Sequence, residues 1–418
     1  MSRLSPCDDP ANRLRPHMDG PAAFLPRSVH GMSPRVRRAS VSRIALLVGL
    51  AGCGVLACSP AIPGLRSRAG ATLRPGTGAS PTRYDAQFEA VADRFAEVYP
   101  SFGYKGMDWS AQRSAYRTRA SRARSQDEFI AVVREMLEPL HDLHIWFVDP
   151  EGGVVPTYRP RRTANFDGAR WQRALRDANY VNRGGEIGDA TVGGYPYLFL
   201  GSWKSPVDAT SLDLVMARMR EAPGLIIDLR TNAGGNDATA LAFVSRFTTG
   251  PLVASYVRTR NGPLPTDLDA QSARTVNPRG AWQFTRPVVV ITGRAGFSAT
   301  ESFVAAMRTL SHVTVIGDTT GGASGNPATY PMGNGWQFTV PRWMEFGPDH
   351  QPIEGRGVAP HILIPWAPAS YDRERDPLID AAVGLLGEIN GVYRMAPAAN
   401  GGVTNGRDGN GARSDGRR

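Results

Sequence analysis

From residue 196 onward the sequence settles into a rhythm that few architectures accommodate. Short, continuously apolar runs alternate with amphipathic segments. PYLFLGSW, GLIIDLR, PVVVITG and VTVIGDT read as strands, and SLDLVMARMRE, DATALAFVSRFTT and SATESFVAAMRTL read as helices between them. A strand that is apolar along its whole length must be covered on both faces, and strand–helix alternation supplies that cover. The expectation is an α/β domain with a mostly buried sheet. Several β-type segments follow in 328–365, and DPLIDAAVGLLGEI (376–389) reads as a closing helix.

The preceding stretch has a different period. YDAQFEAVADRFAEVY places Phe88, Val91, Ala92, Phe95 and Val98 at helical spacing. SQDEFIAVVREMLEPL repeats the pattern, with Ser125 as cap and Glu128 three residues on, the signature of a capping box. WSAQRSAYRTRASRA between them also reads as helix. A small helical domain over 84–150 is therefore expected, then a loop-rich connector over 151–195, then the α/β domain over 196–390.

The two ends read otherwise. From Met32, Arg35, Arg37, Arg38 and Arg43 form a basic region before the short apolar run IALLVGLA, a secretory signal too short to span a bilayer. Its end, Leu50-Ala51-Gly52-Cys53, resembles the bacterial lipoprotein cleavage box, which implies lipidation at Cys53 and a membrane-anchored protein of the cell envelope, facing periplasm or exterior. VLAC, ending at Cys58, is a second candidate box. Translation starting at Met32 fits this reading, so 1–53 is leader and signal. Residues 54–83 are rich in Pro, Gly and Ser and read as a tether. The low-complexity tail, 391–418, is expected to be disordered.

Charge and cysteine usage exclude several classes. The formal net charge is +10, but residues 1–52 hold eight arginines and three aspartates, and without them the net is +5. No basic run with interleaved aromatics remains, so no nucleic-acid partner is expected. The three cysteines, at 7, 53 and 58, leave the folded part without a disulfide or a thiol nucleophile. His and Cys do not cluster at metal-ligand spacing, so neither metal nor cofactor is expected.

Three places carry chemistry. Ser298, in GFSATES, stands where a buried strand meets a helix. There a serine exposes its hydroxyl beside backbone N–H groups able to hold an oxyanion. The competing role is an N-cap, because Glu301 follows three residues later. Asp228-Leu-Arg-Thr-Asn-Ala-Gly-Gly235 puts two glycines after a strand, which permits close backbone approach or marks a simple turn. A serine nucleophile needs a base. Among His141, His144, His312, His350 and His361 the residues alone select none.

In combination these motifs say more. DLRTNAGG, GFSATES, VIGDTTGGASGNP and IEGRGVAPHI, in that order, resemble the catalytic domain of the tricorn and carboxyl-terminal processing serine proteases. EVYPSFGYKGMDWSAQRSAYR and PLHDLHIWF resemble the amino-terminal region of the same family. The resemblance spans about 85–390 and implies a crotonase/ClpP-like spiral catalytic domain. The Ser–Lys branch has a lysine in a T-x-G-K stretch. Here Ala323, in TTGGASG, stands at that position, and 151–195 is too short for that branch's PDZ domain. The tricorn-like branch takes its base from a histidine in the amino-terminal region, and the pattern as a whole resembles the family's secreted branch, which also includes retinoid-binding repeats.

By that resemblance the implied triad is Ser298 as nucleophile, His144 as general base and Glu354 as orienting acid. Ala299 and Gly234 or Gly235 would supply the oxyanion hole. Asp142 is a second candidate acid. The chain departs from the tricorn pattern at Leu143, where the family has a serine, and at Ala299, where it has an acid. The function implied is a serine endopeptidase acting on protein or peptide through an acyl-enzyme. The alternative is an inactive module on the same scaffold that binds an apolar ligand.

Overall fold

The computed structural model describes residues 83–391, except 162, 185, 205, 206, 368, 370 and 371. The expected signal, the lipidation site Cys53, the tether and the tail lie outside the described residues. Among the described residues no helix is long and apolar enough to cross a membrane.

The chain opens with α1 (Arg83–Val98), α2 (Trp109–Ser121) and α3 (Gln126–Leu137). α1 buries Phe88, Val91, Ala92 and Phe95, the stripe that its helical period requires. α3 begins where Ser125 Oγ accepts the Glu128 N–H at 3.2 Å. The reciprocal arm of the expected box is displaced, since the Glu128 carboxylate accepts the N–H of Arg124 at 2.9 Å.

The helices do not close their own core. They pack on a four-stranded sheet made from β1 (Trp146–Val148), β2 (Val154–Pro156), β11 (Ala328–Gly333) and β12 (Trp336–Val340), in the order β11-β12-β1-β2. Met332, Phe338 and Val340 join Phe95, Phe102 and Trp109 in one apolar cluster. The region read as 84–150 is thus completed by strands some two hundred residues further on.

The second sheet has seven strands. Its members are β3 (Val181–Gly184), β4 (Ile187–Val192), β5 (Tyr195–Leu200), β6 (Leu225–Asp228), β9 (Val288–Thr292), β10 (Val313–Gly317) and β14 (Ile362–Leu363), ordered β14-β10-β9-β6-β5-β4-β3. From β5 to β14 neighbours run parallel, and β4 and β3 extend the sheet antiparallel. The stretch expected as a connector therefore supplies β2 of the first sheet, β3 and β4 of the second, and also α4 (Gly168–Ala174). Alternation of side chains explains the continuous apolar runs. Leu225, Ile227, Val288 and Val290 face the cluster built with α5 (Ala209–Met219), α6 (Asp237–Val244) and α7 (Ala299–Met307). Ile226, Val289 and Ile291 face the cluster built with α8 (Pro377–Ile389). A third sheet, β13-β7-β8, joins β7 (Leu252–Thr259), β8 (Ser272–Val276) and β13 (Trp343–Phe346).

The DLR of DLRTNAGG is a structural element. Arg230 is fully buried and bonds Asp228 at 2.7 Å and Asp376, the N-cap of α8, at 2.9 Å. That trio fixes the closing helix to the end of β6.

Candidate active site

Ser298 ends the turn after β9 and precedes α7 with φ +60° and ψ −129°. An N-cap residue ordinarily sits in the extended region with its side chain on the first turn. Ser298 lies outside that backbone region, although it and Glu301 stand in the capping-box arrangement that the sequence suggests. The Glu301 N–H goes to the Ser298 carbonyl at 2.7 Å. Positive φ is unfavourable for a residue with a β-carbon, so the surroundings must hold it. They do so through its main chain: the Ser298 N–H lies 2.8 Å from the Ala323 carbonyl and 3.3 Å from Glu301 Oε2.

Glu301 is the hub of that grip. Its carboxylate also accepts the Thr320 hydroxyl at 2.5 Å and the N–H groups of Gly322 and Ala323 at 2.7 Å each. Burial pushes its pKa up to about 7, against the opposing effect of these donors.

The glycine turn comes up against this serine. Gly234 has φ +93°, and a β-carbon there would stand 2.7 Å from Ser298 Cβ and 2.8 Å from the Phe297 carbonyl. Asn232, fully buried, locks the turn in place: its Oδ1 accepts the Gly234 N–H at 3.0 Å and the Thr300 hydroxyl at 2.8 Å. Gly234's N–H is therefore engaged, whereas Gly235, with φ +143°, is exposed at the cleft. Of the two glycines considered, Gly235 is the one positioned to donate to an oxyanion. Ala299 opens α7, so its N–H has no acceptor within the helix.

His144 reaches the same cleft from the other end of the fold. Thr339 of β12 donates to its carbonyl at 2.8 Å, and Phe297 meets its ring edge-on at 5.9 Å between centroids. Both ring nitrogens are buried without a hydrogen-bond partner. Burial lowers the pKa of His144, while the charges of Asp142 and Glu345 act in the opposite direction. At neutral pH the ring is an unprotonated imidazole, the state a general base needs.

The cleft has a volume of about 530 Å³. Leu143, Trp146, Phe297 and Trp343 give it apolar walls, and Ser298, His144, Gly235 and Ala299 converge on it. Its polar side is the buried Glu345, which accepts the Ser302 hydroxyl at 2.9 Å and Arg274 Nη1 at 2.9 Å and is also bonded by Ser324. Arg274 in turn pairs with Asp237. Among the described residues no group of His, Cys, Asp or Glu could hold a metal ion.

Glu354 lies elsewhere. It is buried, bonds Lys105 Nζ at 2.6 Å and accepts the Ser324 N–H at 3.4 Å. Asp142 is closer to the imidazole, with Oδ1 3.9 Å from Nδ1. The structure thus joins Ser298, His144, Gly235 and Ala299 at one cleft and puts Glu354 in the buried acidic cluster with Asp142.

The other candidate histidines are occupied elsewhere. His361 Nδ1 accepts the Val315 N–H at 3.0 Å, His350 stacks on Tyr256, His141 packs on Tyr158, and His312 is a half-buried residue outside the cleft. Sequence reasoning missed Asn232, Glu345, Arg274 and Lys105. Asn232 had a signal, being one of the three residues between the DLR strand end and the two glycines. The other three had none, since their roles depend on partners 71, 71 and 249 positions away.

Comparison with known proteins gives a consistent picture. The model of peptidase family S41 matches residues 197–364, and that of the tricorn protease C1 domain matches 81–138. The carboxy-terminal processing protease CtpB of Bacillus subtilis is 28% identical over 145 residues, 35% of this chain and 28% of that protein. Tricorn protease homolog 1 of Streptomyces coelicolor is 29% identical over 169 residues, 39% of this chain and 14% of that protein. The matched region thus spans well under a third of either relative. A solved structure of a peptidase candidate from Parabacteroides merdae is 28% identical, with a TM-score of 0.65, covering 74% of this chain and 97% of that one. Mature CPAF, 11% identical with a TM-score of 0.56 over 74% of this chain and 97% of its own, shares the fold.

Proposed function

The chain belongs to the serine peptidases of family S41, and from that premise we propose that it is an endopeptidase in which Ser298 attacks the peptide bond. The observation that carries the reading is the backbone of Ser298. A serine held at φ +60°, outside the backbone region of an ordinary cap, on the same cleft as an imidazole whose buried nitrogens make no hydrogen bond, is placed for more than starting a helix.

The chemistry follows from the arrangement. Ser298 Oγ adds to the scissile carbonyl as His144 takes its proton. The oxyanion is met by the N–H groups of Gly235 and Ala299 at the start of α7. Collapse breaks the C–N bond, and His144 gives its proton to the departing amine. Water, deprotonated by His144, then hydrolyses the acyl-enzyme and restores the serine. A carboxylate behind the imidazole completes the triad, and the family resemblance implies Glu354 for that place.

The cleft suits an extended peptide. Its apolar walls take side chains, and its depth leaves the nucleophile half-buried. The signal ending at Cys53 supports a site of action in the cell envelope, with the catalytic unit on a tether from a lipid anchor. Cys53→Ser is expected to move the protein from the membrane to the soluble fraction. Retention of the variant in the membrane fraction would refute the anchor.

Covalent labelling tests the chemistry without knowledge of the substrate. A fluorophosphonate probe is expected to modify Ser298, identified by peptide mass spectrometry, and His144→Ala is expected to abolish the modification. Absence of labelling on folded wild-type protein would favour the ligand-binding alternative.

A further inference from the structure

The proposed reaction puts a positive charge on His144 at the moment the proton leaves Ser298, in a site where the ring is 2% exposed. A buried imidazolium needs a carboxylate facing Nδ1. Three acids are near enough to consider.

Glu345 flanks the ring across the cleft, but it is already matched by Arg274 and by the hydroxyls of Ser302 and Ser324. Glu354 is matched by Lys105, and no contact joins it to the imidazole. Asp142 remains. It is 2% exposed, and its Oδ2 accepts the Tyr99 hydroxyl at 3.0 Å. Its Oδ1 accepts the main-chain N–H of His144 itself at 2.8 Å.

That last bond brings together two residues that stand only two apart on a short segment. An aspartate whose carboxylate takes the N–H two residues on forms an Asx turn. The turn, entered from His141 at φ +48°, folds the Asp142 carboxylate back toward the His144 ring and leaves Leu143 to line the cleft. The Oδ1–Nδ1 separation of 3.9 Å is longer than a hydrogen bond, as is common for a triad without substrate.

Resting on the peptidase reading above, we propose that Asp142, not Glu354, is the positioning carboxylate for His144. The proton of the resting imidazole then lies on Nδ1, which frees Nε2 for Ser298. The charged and titratable groups around this unit include Glu345, Arg274, Asp237 and Lys204 at the cleft, and Tyr99, Glu354 and Lys105 near Asp142. Leu143, which replaces the family's serine, leaves no hydroxyl to relay between His144 and Glu354. The Asx turn takes over that duty within the same segment.

The test is the rate of fluorophosphonate labelling at Ser298 against pH, in the purified full chain and in Asp142→Asn, Asp142→Glu and Glu354→Gln. Asp142→Asn is expected to slow labelling by roughly 10²–10⁴-fold. It should also move the acidic midpoint of the profile downward, because a negative charge near the ring has been removed. Asp142→Glu should restore part of the rate, which a purely structural role would not predict. Glu354→Gln should cost less than about tenfold. The proposal is overturned if Glu354→Gln loses as much as Asp142→Asn, or if Asp142→Asn leaves rate and midpoint as they were. If Asp142→Asn fails to fold, Asp142→Glu and Glu354→Gln decide the matter by the same comparison. A wild-type protein that is not labelled would instead remove the peptidase reading on which this rests.

Discussion

Holding Ser298 at φ +60° costs a residue with a β-carbon about 1–3 kcal/mol, and the bonds from its N–H to Ala323 and Glu301 offset that cost. The same crowding makes Gly234 irreplaceable. Gly234→Ala would bring a methyl 2.7 Å from Ser298 Cβ and 2.8 Å from backbone, at a φ that alanine avoids. We expect that variant to fold and to lose about a hundredfold or more in labelling rate, since a shift of about 1 Å in the nucleophile suffices for that. Labelling close to the wild-type rate would show that the turn is not what aims the serine. On the proposed mechanism, His144 sets the pH dependence. Burial lowers its pKa below the ordinary 6.5, so the ring stays unprotonated to more acidic pH than a free histidine. The labelling rate should therefore fall only as pH drops below 6.5, and a midpoint above that value would contradict a buried base.

At the scale of elements, α7 and the loop 320–323 form one unit around Glu301. Both carboxylate oxygens accept donors, Oε1 from Thr320 and Gly322 and Oε2 from Ala323 and Ser298. Glu301→Gln would turn an NH₂ toward main-chain N–H groups and leave them unsatisfied in a buried site. A loss of about 1–3 kcal/mol in urea unfolding is expected. No loss would mean that the loop holds without this hub. The strand–helix alternation that builds α7 and β9 was legible because each element carries its own period. GFSATES also showed its capping pattern, and the Ser298–Glu301 pair stands in that arrangement, with the Glu301 carboxylate on the Ser298 N–H. Whether Ser298 caps or attacks depends on its ψ, which Gly234 and Ala323 impose from other elements. The strands of 181–192 were hidden for a related reason. β3 is exposed throughout and short, so it has no apolar run to announce it.

At the scale of the whole catalytic unit, buried charges join distant parts. Arg230 holds Asp228 at the end of β6 and Asp376 at the start of α8, all three fully buried. Arg230→Met would leave two buried carboxylates without their cation, with only the Tyr197 hydroxyl on Asp228 and the first N–H groups of α8 on Asp376. The expected loss is about 3–5 kcal/mol, read from chemical denaturation. A change under 1 kcal/mol would show that the closing helix is held by its apolar face alone. Lys105, between α1 and α2, makes the corresponding link to Glu354.

What the sequence determined on its own is what a short window can hold. It gave an α/β sheet buried on both faces, helices ahead of it, a glycine turn, and a serine between strand and helix, because side-chain period and backbone preference are properties of neighbours along the chain. The family motifs added His144 and the order of the parts. Tertiary structure alone decided that Gly235 rather than Gly234 faces the cleft, that Glu354 is held by Lys105 while Asp142 lies 3.9 Å from the imidazole, and that Glu345 and Arg274 form the polar wall. Each of these is a pairing in space, and the energy of burying a charge or a donor depends on what the fold puts opposite it.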